Sequence, residues 1–393
     1  MPASVPPSPR PLRIAFVSGN RGWGGSEELW SASAAVIASQ RHEVIVFKSA
    51  FDPAHPRIRR LRELGVSIAD MARFPLMPRS LFHSLGKVSR PAQYWHEGAR
   101  LGSGLLATRR PDLVVLSQGI NFDGYPFARV CRMLRLPYIV VCQKATDIYW
   151  PTDPQLADVR RMYTAAEQVF FVSEHNRRLT EEQLGFALPH AQVVRNPFLV
   201  PWGSRDDWPD ESRGMRLACV GRLHPLEKGQ DLLLRVLARP AWRERSLHVS
   251  FFGTGMHRDG LTTMAHHLGL TNVSFDGFAD PTTIWRDHHA LVLPSRCEGL
   301  PLVLVEAMLN ARVPIITDAG GNAEVVTNNV NAFLASAPTE DALDEAMSRA
   351  WSRRPEWRAI GAAASQHIRT LVPPSPEDVF AAQVIEIAGR VRG

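Results

Sequence analysis

The chain has 393 residues, of which 45% are hydrophobic and 21% charged. This length is too great for one ordinary core and fits two domains of fewer than about 200 residues each, and the hydrophobic content argues against extensive disorder. The formal net charge of +6 suits an anionic partner, such as a nucleoside diphosphate, a phospholipid or a nucleic acid, without choosing among them.

The N-terminus is predicted to be a flexible tail, residues 1–12, because its first eleven residues hold five prolines and no periodic apolar pattern. The apolar run 14–17 is too short for a secretory signal, and no run approaches the roughly 18 apolar residues that span a bilayer. None of the four cysteines forms a C-x-x-C pair, so zinc and dithiol redox chemistry have little support. We therefore expect a cytoplasmic protein with reduced thiols and leave peripheral membrane contact open.

Short apolar runs rich in β-branched residues alternate with helix-like segments along the chain. Continuous apolar strands separated by helices are typical of buried parallel sheets. The predicted strands are residues 13–18, 43–48, 112–117, 137–142 and 168–173 in a first set, and 216–221, 247–253, 273–277, 290–294 and 313–317 in a second. Two sets of about five strands predict an α/β protein with two doubly wound, Rossmann-like domains that face each other across a cleft.

The boundary between the two sets is predicted at a linker, residues 199–213. The surrounding segment, from Arg195 to Arg213, holds three prolines and several turn formers without a clear period. The predicted domains are therefore residues 13–198 and 214–375. A last helix is predicted after them, within residues 376–393, with a PEDV start.

The two predicted domains open alike, with RIAFVSGNRGWGGSEE from Arg13 and RLACVGRLHPLEKGQD from Arg216. Each opening is an apolar strand, a glycine loop and a helix start. Because ligands bind at the carboxyl ends of strands in such sheets, two facing openings would make an interdomain cleft.

Neither domain carries the G-x-G-x-x-G fingerprint of a dinucleotide site. After Gly22 and Gly24 the third glycine is replaced by Glu27, and after Gly253 and Gly255 by Arg258. A nicotinamide or flavin enzyme thereby loses much of its support.

The stretch SRCEGLPLVLVEAMLNARVPIITDAGGNAE, residues 295–324, is the most informative part of the chain. Glu298 follows directly after a predicted strand, and a helix is predicted to begin near Pro301, since proline suits the first turn. The free amides and the positive dipole end of that helix favour an anion such as a diphosphate. Glu306 stands among apolar residues of the helix, where a carboxylate is costly without partners, and ribose hydroxyls would serve as partners. The alternative is that Glu306 lies at the polar edge of the helix and meets solvent or an arginine.

Two cations, Arg222 and Lys228, follow a predicted strand of the second domain and precede a helix. Fixed cations stabilise a leaving diphosphate more as its charge grows, and they could take the role of Mg²⁺. The alternative is a pair of surface cations beside a turn. Gly24 and Gly25 would let the backbone approach a ligand closely, or would simply form a tight turn. Since no two aspartates are separated by one residue, there is no D-x-D metal clamp, and we expect neither a metal nor another cofactor.

Together these residues resemble glycosyltransferase family 4, the retaining GT-B enzymes among the glycosyl transferases group 1. The resemblance runs from about Arg13 to about Ala363. It rests on four motifs: the glutamate pair in E-G-L-P-L-V-L-V-E-A-M, the segment G-R-L-x-x-x-x-K-G, the pair Gly24-Gly25, and Gly320-Gly321-Asn322-Ala323-Glu324.

The resemblance implies a role for each matching residue. Glu298, Arg222 and Lys228 would be the catalytic residues, with the two cations on the donor diphosphate and Glu298 near the reacting carbon. Glu306 would bind the nucleotide ribose. Gly24 and Gly25 would approach the diphosphate from the other domain, and the segment of Gly299, Leu300, Pro301 and Leu302 would bind phosphate or sugar through its backbone. The last helix would cross back to the N-terminal domain.

One departure from the family concerns the acceptor side. Many members carry a histidine after the strand that begins with a proline, whereas here residue 143 is glutamine. Gln143 hydrogen-bonds a hydroxyl but does not titrate. Asp147 is a second acceptor-side candidate, for which a helix cap or a solvated loop is the alternative interpretation.

We therefore expect a metal-independent, retaining hexosyltransferase that uses a nucleotide-diphosphate sugar as co-substrate. Its acceptor would be a hydroxyl of a glycan or a lipid-linked glycan, in the synthesis of a polysaccharide or glycoconjugate. The basic region 51–110, and within it residues 71–90, is compatible with contact to an anionic membrane or with an ordinary packed helix pair. Alternatives are another sugar-nucleotide chemistry (epimerisation or hydrolysis), a non-catalytic binder and, last, a nucleic-acid binder without a recognised motif.

Overall fold

The computed structural model describes residues 10–74, 92–203, 207–212 and 214–392, with side chains omitted for residues 92–97. Within these residues no helix is long and apolar enough to cross a membrane. The predicted tail, residues 1–12, lies mostly outside the described part, and its last residue, Leu12, is buried and donates its backbone N–H to His42 Nδ1 at 3.1 Å.

A parallel sheet forms the centre of the N-terminal domain, in the order β3-β2-β1-β4-β5-β6-β7. Ile14 pairs with Val44 on one side and Leu113 on the other, so β1 lies in the middle of the sheet. The strands are β1 (Arg13–Ser18), β2 (Glu43–Lys48), β3 (Ser67–Asp70), β4 (Leu113–Gln118), β5 (Tyr138–Cys142), β6 (Gln168–Phe171) and β7 (Ala191–Val193). The described helices are α1 (Gly25–Ser39), α2 (Pro56–Glu63), α3 (Ala92–Ala107), α4 (Tyr125–Met133), α5 (Asp153–Thr164) and α6 (Glu174–Leu184), with a 3₁₀ turn at Met71–Arg73.

The C-terminal domain repeats this plan with the order β10-β9-β8-β11-β12-β13, also parallel. Its strands are β8 (Met215–Val220), β9 (Leu247–Phe252), β10 (Val273–Gly277), β11 (Ala290–Leu293), β12 (Val313–Thr317) and β13 (Phe333–Ala335). Its helices are α7 (Pro225–Lys228), α8 (Gln230–Leu237), α9 (Pro240–Arg243), α10 (Arg258–His267), α11 (Pro281–Asp287), α12 (Leu302–Leu309), α13 (Glu340–Ser352) and α14 (Trp357–Leu371), with 3₁₀ turns at Asn322–Val325 and Arg354–Glu356.

Apolar side chains on both faces of each sheet explain the layered packing. Ala15 and Val17 of β1 join the core on one face, whereas Ile14 and Phe16 join the core on the other. The continuous apolar runs in the sequence reflect this burial on two sides.

The predicted pair of doubly wound α/β domains is confirmed, but the estimate of about five strands in each set is too low. The additional strands β3, β7 and β13 have four, three and three residues and lie at the edges of their sheets. Edge strands pair on one side only, so they need no long apolar run.

The last helix, α15 (Pro376–Arg392), packs on the N-terminal domain. Phe380 meets Phe170 of β6 edge to face, with ring centroids 5.3 Å apart. Ser33 of α1 donates a hydrogen bond to the carbonyl of Glu377 at 3.1 Å. The described part of the predicted linker, 199–203 and 207–212, holds neither helix nor strand.

Candidate active site

The candidate site lies where the carboxyl ends of the two sheets face each other. β1 lies between β2 and β4, and β8 lies between β9 and β11, so the order of successive strands reverses beside the first strand of each domain. Ligands bind at such switch points. The two domains touch there, because a Cβ added to Gly299 would lie 2.1 Å from the carbonyl oxygen of Gln143. Only glycine permits this approach of the two backbones.

Two helix N-termini meet at this contact. A Cβ at Gly25, the first residue of α1, would lie 3.2 Å from Leu302 Cδ1 at the start of α12. A Cβ at the preceding Gly24 would have no neighbour within 4 Å, so this backbone borders open space. Pro301 is the N-cap of α12, with an extended backbone (φ −70°, ψ 131°), and is not in its first turn. The helix therefore begins one residue after Pro301. Two positive dipole ends thus flank the same space.

Lys228 and Glu298 are brought together as an ion pair. Lys228 Nζ donates to Glu298 Oε1 at 2.6 Å, and Ser295 Oγ donates to the same oxygen at 2.7 Å. The side chain of Glu298 is buried, whereas Lys228 keeps 19% of its side chain exposed. An ammonium group has three donors, so Lys228 retains capacity for an anion in the cleft.

Arg222 is held by a glutamate that also binds the other domain. Its Nη2 donates to Glu227 Oε2 at 2.9 Å, and Lys144 of the N-terminal domain donates to Glu227 Oε1 at 2.8 Å. Burial raises the pKa of Glu227, but the Lys144 ammonium and the charge of Arg222 outweigh burial, and the net pKa is lowered. With 62% of its side chain exposed, Arg222 faces the solvent of the cleft.

Glu306 is buried on α12, with 3% of its surface exposed, and its Oε1 accepts the backbone N–H of Leu199 at 2.9 Å. The alternative interpretation of a solvated carboxylate is therefore wrong. The pKa of Glu306 is raised to about 7, first by burial and then by the carboxylates of Glu28 and Asp280, while the hydrogen bond from Leu199 acts in the opposite direction.

The acceptor-side candidates differ in their placement. Gln143 is buried, its Oε1 accepts from Asn196 Nδ2 at 2.7 Å, and its own Nε2 is buried without a hydrogen-bond partner in the described structure. Asp147 is exposed in a turn. The structure therefore buries Gln143 in the contact between the domains, whereas Asp147 is exposed to solvent. Leu300 and Pro301 are both buried.

A buried ion pair holds the glycine loop after β1, and sequence reasoning assigned it no role. Lys48 and Glu27 are both fully buried and lie 2.8 Å apart. Lys48 also donates to the carbonyls of Asn20 and Gly22, at 2.6 and 3.2 Å. In a trans peptide the carbonyl and the following N–H point in opposite directions, so the N–H groups after both carbonyls point away from Lys48.

Other residues of the site were also missed. Glu227 stands between the two predicted cations, and Glu324 ends the predicted glycine motif, so both were visible in the sequence but had no assigned partner. Lys144 follows Gln143 directly. A charged residue at the end of an apolar strand (Lys48) or just beyond it (Lys144) is the only signal that pointed to these two lysines.

Within the described residues, no group of three or more His, Cys, Asp or Glu side chains is arranged to hold a metal ion. The predicted membrane patch, residues 71–90, falls mostly outside the described residues, of which only 71–74 belong to it.

A comparison with known families finds a match in the C-terminal domain. Residues 214–353 match the family described as "Glycosyl transferases group 1". The chain is 27% identical over 249 residues to a GDP-mannose-dependent α-(1-6)-phosphatidylinositol monomannoside mannosyltransferase of Mycobacterium tuberculosis. This match covers 56% of the chain and 62% of the relative. The chain is also 30% identical over 159 residues to a D-inositol 3-phosphate glycosyltransferase of Saccharomonospora viridis, a match that covers 37% of the chain and 36% of the relative. The matched region thus spans less than two thirds of these relatives' length.

Solved structures show the same two-domain GT-B fold over 95% of the chain. HepE of Anabaena, in complex with UDP and glucose, has a TM-score of 0.75 at 19% identity, covering 95% of this chain and 99% of that one. Sucrose-phosphate synthase of Thermosynechococcus elongatus has a TM-score of 0.72 at 14% identity, covering 95% and 98%. The predicted GT-B fold is confirmed.

Proposed function

We propose that this chain, whose residues 214–353 match the family described as "Glycosyl transferases group 1", moves a sugar from a nucleoside-diphosphate sugar to a hydroxyl acceptor. The observation that carries the proposal is the approach of Gly25 to Leu302 beside the Lys228–Glu298 pair. It sets two helix N-termini and a cation around one space between the domains, which matches the charge of a diphosphate.

The chemistry follows from that charge arrangement. As the bond between the anomeric carbon and the diphosphate oxygen breaks, negative charge grows on the leaving group. Lys228, Arg222 and the two helix ends would stabilise this charge more in the transition state than in the ground state. No metal is required in this proposal, because fixed protein charges supply the electrostatic stabilisation.

Retention of the anomeric configuration is the stereochemistry we propose. The acceptor oxygen would attack the anomeric carbon from the face that the diphosphate leaves, and the acceptor proton would pass to a phosphate oxygen of the leaving group. In this scheme Glu298, fixed by Ser295 and Lys228, would contact the transferred sugar, and Glu306 would accept hydrogen bonds from the ribose.

The acceptor would bind the N-terminal side of the cleft. Gln143 Nε2 is a buried donor without a partner there, and a sugar hydroxyl would supply one. The Mycobacterium relative is named for a lipid-linked mannoside acceptor, and this supports a glycan or lipid-linked glycan as acceptor class. Contact with an anionic membrane stays a prediction.

Thermal stabilisation by nucleotides tests the donor site. UDP, GDP, ADP, CMP and NAD are compared at one common concentration, and a ligand present at about 100 times its Kd stabilises the fold by roughly 2.7 kcal/mol. We expect a shift with one nucleoside diphosphate, weakened in Arg222→Ala and unchanged in Arg358→Ala, which alters an exposed arginine of α14. A shift with NAD alone would overturn the proposal.

Product analysis then tests the reaction. The nucleotide sugar with the favoured base is incubated with and without a panel of glycan acceptors. Transfer to an acceptor, with retained configuration by NMR, is the expected result. Nucleotide release without transfer in every case would favour hydrolysis, and an altered sugar on the intact nucleotide would favour epimerisation.

A further inference from the structure

Glu324 belongs to the C-terminal domain, yet its carboxylate binds the N-terminal domain. It lies on the 3₁₀ turn Asn322–Val325, which follows β12. Its Oε1 accepts the backbone N–H of His175 at 2.6 Å, and its Oε2 accepts the backbone N–H of Glu174 at 3.1 Å. Both amides belong to the first turn of α6 (Glu174–Leu184).

The first turn of a helix leaves N–H groups without partners inside the helix, and its positive dipole end favours a carboxylate. Ser173, the N-cap of α6, accepts the N–H of Asn176 at 3.2 Å. Three successive amides are thus satisfied, the first two by Glu324. Part of the cap of α6 is therefore supplied by the other domain and is present only when the domains are in contact.

The same turn contacts the loop that carries Glu298. Gly321 donates its N–H to the carbonyl of Gly299 at 2.6 Å, and a Cβ at Gly321 would lie 2.6 Å from Ser173 Cβ. Arg195 stands behind the cap, 3.9 Å from Glu324 Oε2, and donates to the carbonyl of Val172 at 3.0 Å. The cap of α6 and the loop that carries Glu298 are therefore connected by direct contacts.

The buried face of α6 continues the connection towards the acceptor side. Thr180 and Gln183 each bind Asn121 Nδ2, at 2.9 and 2.6 Å, and Gln183 donates to the carbonyl of Thr146 at 3.1 Å. Asn121 follows β4 and Thr146 follows β5. A helix that begins at a carboxylate of one domain thus supports two loops at the cleft edge of the other.

We propose that Glu324 is a positioning residue that holds the two domains closed by capping α6 from the opposite domain. With the cap in place, the loop of Glu298 and Gly299 is held against Gln143 and the glycine loop after β1. When the domains separate, the first turn of α6 loses two hydrogen-bond acceptors and frays. The inference concerns domain contact and stands independently of the sugar-transfer activity.

Amide hydrogen exchange and small-angle X-ray scattering on the full-length chain test this role without substrate. In Glu324→Ala we expect exchange in residues 174–176 to become about tenfold faster, the scale of a lost charged cap. The radius of gyration should increase, and the midpoint of urea unfolding should change little. Glu386→Ala, which alters an exposed glutamate of α15, should match the wild type in each measurement.

Glu324→Gln keeps one oxygen acceptor and removes the charge, so its exchange rate should fall between those of the wild type and Glu324→Ala. If Glu324→Ala does not fold, this variant decides the question. Unchanged exchange in residues 174–176 together with an unchanged radius of gyration would overturn the proposal. A substrate-dependent readout follows: kcat/KM should fall through KM, because the closed cleft becomes less populated. If exchange and the radius of gyration change as expected but KM does not, the result counts against the proposed function and not against the capping role of Glu324.

Discussion

Lys228 Nζ lies 2.6 Å from Glu298 Oε1. This contact joins the residue predicted to bind the donor diphosphate to the residue predicted to contact the transferred sugar. Glu298 is buried, so its charge depends on the ammonium group and on the hydroxyl of Ser295. A change at either partner therefore has a structural and a catalytic part, which must be measured separately.

Lys228→Ala should lower kcat at least about tenfold, the scale of one lost charge-stabilising contact. It should also destabilise the fold, because it leaves Glu298 buried without a cation. The double variant Lys228→Ala with Glu298→Gln removes the unpaired charge and should recover stability without recovering activity. Initial rates and urea unfolding of the three proteins separate the two effects, and near-normal turnover of Lys228→Ala would reject the diphosphate role.

Glu306 gives a prediction with a defined pH window. The folded-state pKa of about 7 exceeds the ordinary value of 4.5, so the folded protein binds the extra proton between these values. Stability contributed by protonated Glu306 is therefore present below about pH 4.5 and is lost as pH rises through about 7. Relative to the wild type, Glu306→Gln should gain about 3 kcal/mol of unfolding free energy between pH 4.5 and pH 8, following 1.36 kcal/mol per pKa unit.

Urea unfolding at pH 5, 6, 7 and 8 measures this difference, with Glu386→Gln as an exposed control. A difference that is constant with pH would show that Glu306 does not titrate in this range. Ribose hydroxyls donate to the ionised carboxylate, so affinity for an intact nucleotide sugar should increase through about pH 7 in the wild type. The same increase in Glu306→Gln would remove the ribose role.

Because Lys48 and Glu27 form a buried ion pair, replacing Lys48 alone should lower the free energy of unfolding strongly. Lys48→Met fits the apolar part of the side chain but leaves the Glu27 carboxylate buried without its cation. Removing one partner of such a pair costs about 3–5 kcal/mol. Lys48→Met with Glu27→Gln removes the unpaired charge and should recover part of this loss.

Donor affinity separates the structural role of Lys48 from its effect on the glycine loop. The double variant no longer holds the carbonyls of Asn20 and Gly22, so it should bind the nucleotide sugar less tightly even where it is folded. Calorimetric titration at a temperature where the variant is folded provides the measurement. Wild-type affinity would show that the loop keeps its geometry without Lys48.

The sequence predicted the sheets more completely than it predicted the site. Four strands have the bounds predicted from their apolar runs. Two of them, Arg13–Ser18 and Val313–Thr317, are buried on both faces, and this burial leaves a local pattern. The edge strand Ala191–Val193 has three residues and carries no such pattern. Lys144 and Glu227 are separated by 83 positions, and no local signal relates their charges.

Residues 298, 306, 222 and 228 could be chosen as candidates from the sequence because their motifs are short and contiguous. The partners that fix them are not contiguous: Leu199 lies 107 positions from Glu306, and Glu324 lies 149 positions from His175. Such contacts depend on how two domains pack, and packing becomes visible only in three dimensions.

Gly24 is predicted to tolerate a methyl group in the fold but not in donor binding. A Cβ there would have no neighbour within 4 Å, and its extended backbone (φ −163°, ψ −175°) is open to any residue. If the diphosphate occupies the adjacent space, Gly24→Ala should weaken nucleotide binding about tenfold or more with unchanged urea unfolding. Gly389→Ala is the matched control, since a Cβ at this exposed glycine of α15 also has no neighbour within 4 Å. Equal affinities for the wild type and both variants would show that the diphosphate does not bind next to Gly24.

Activity is expected to survive removal of divalent metal ions. Arg222 and Lys228 place two fixed positive charges at the cleft, and the N-termini of α1 and α12 add two positive dipole ends, which together supply the charge that Mg²⁺ supplies elsewhere. Initial rates should be the same after dialysis against EDTA and after addition of Mg²⁺ or Mn²⁺, measured with purified donor and acceptor and direct product detection. Because Lys228→Ala removes one of these charges, its residual rate is the most sensitive place to detect metal assistance. A rate that EDTA abolishes and Mg²⁺ restores in the wild type would replace the fixed-charge mechanism with a metal-assisted one.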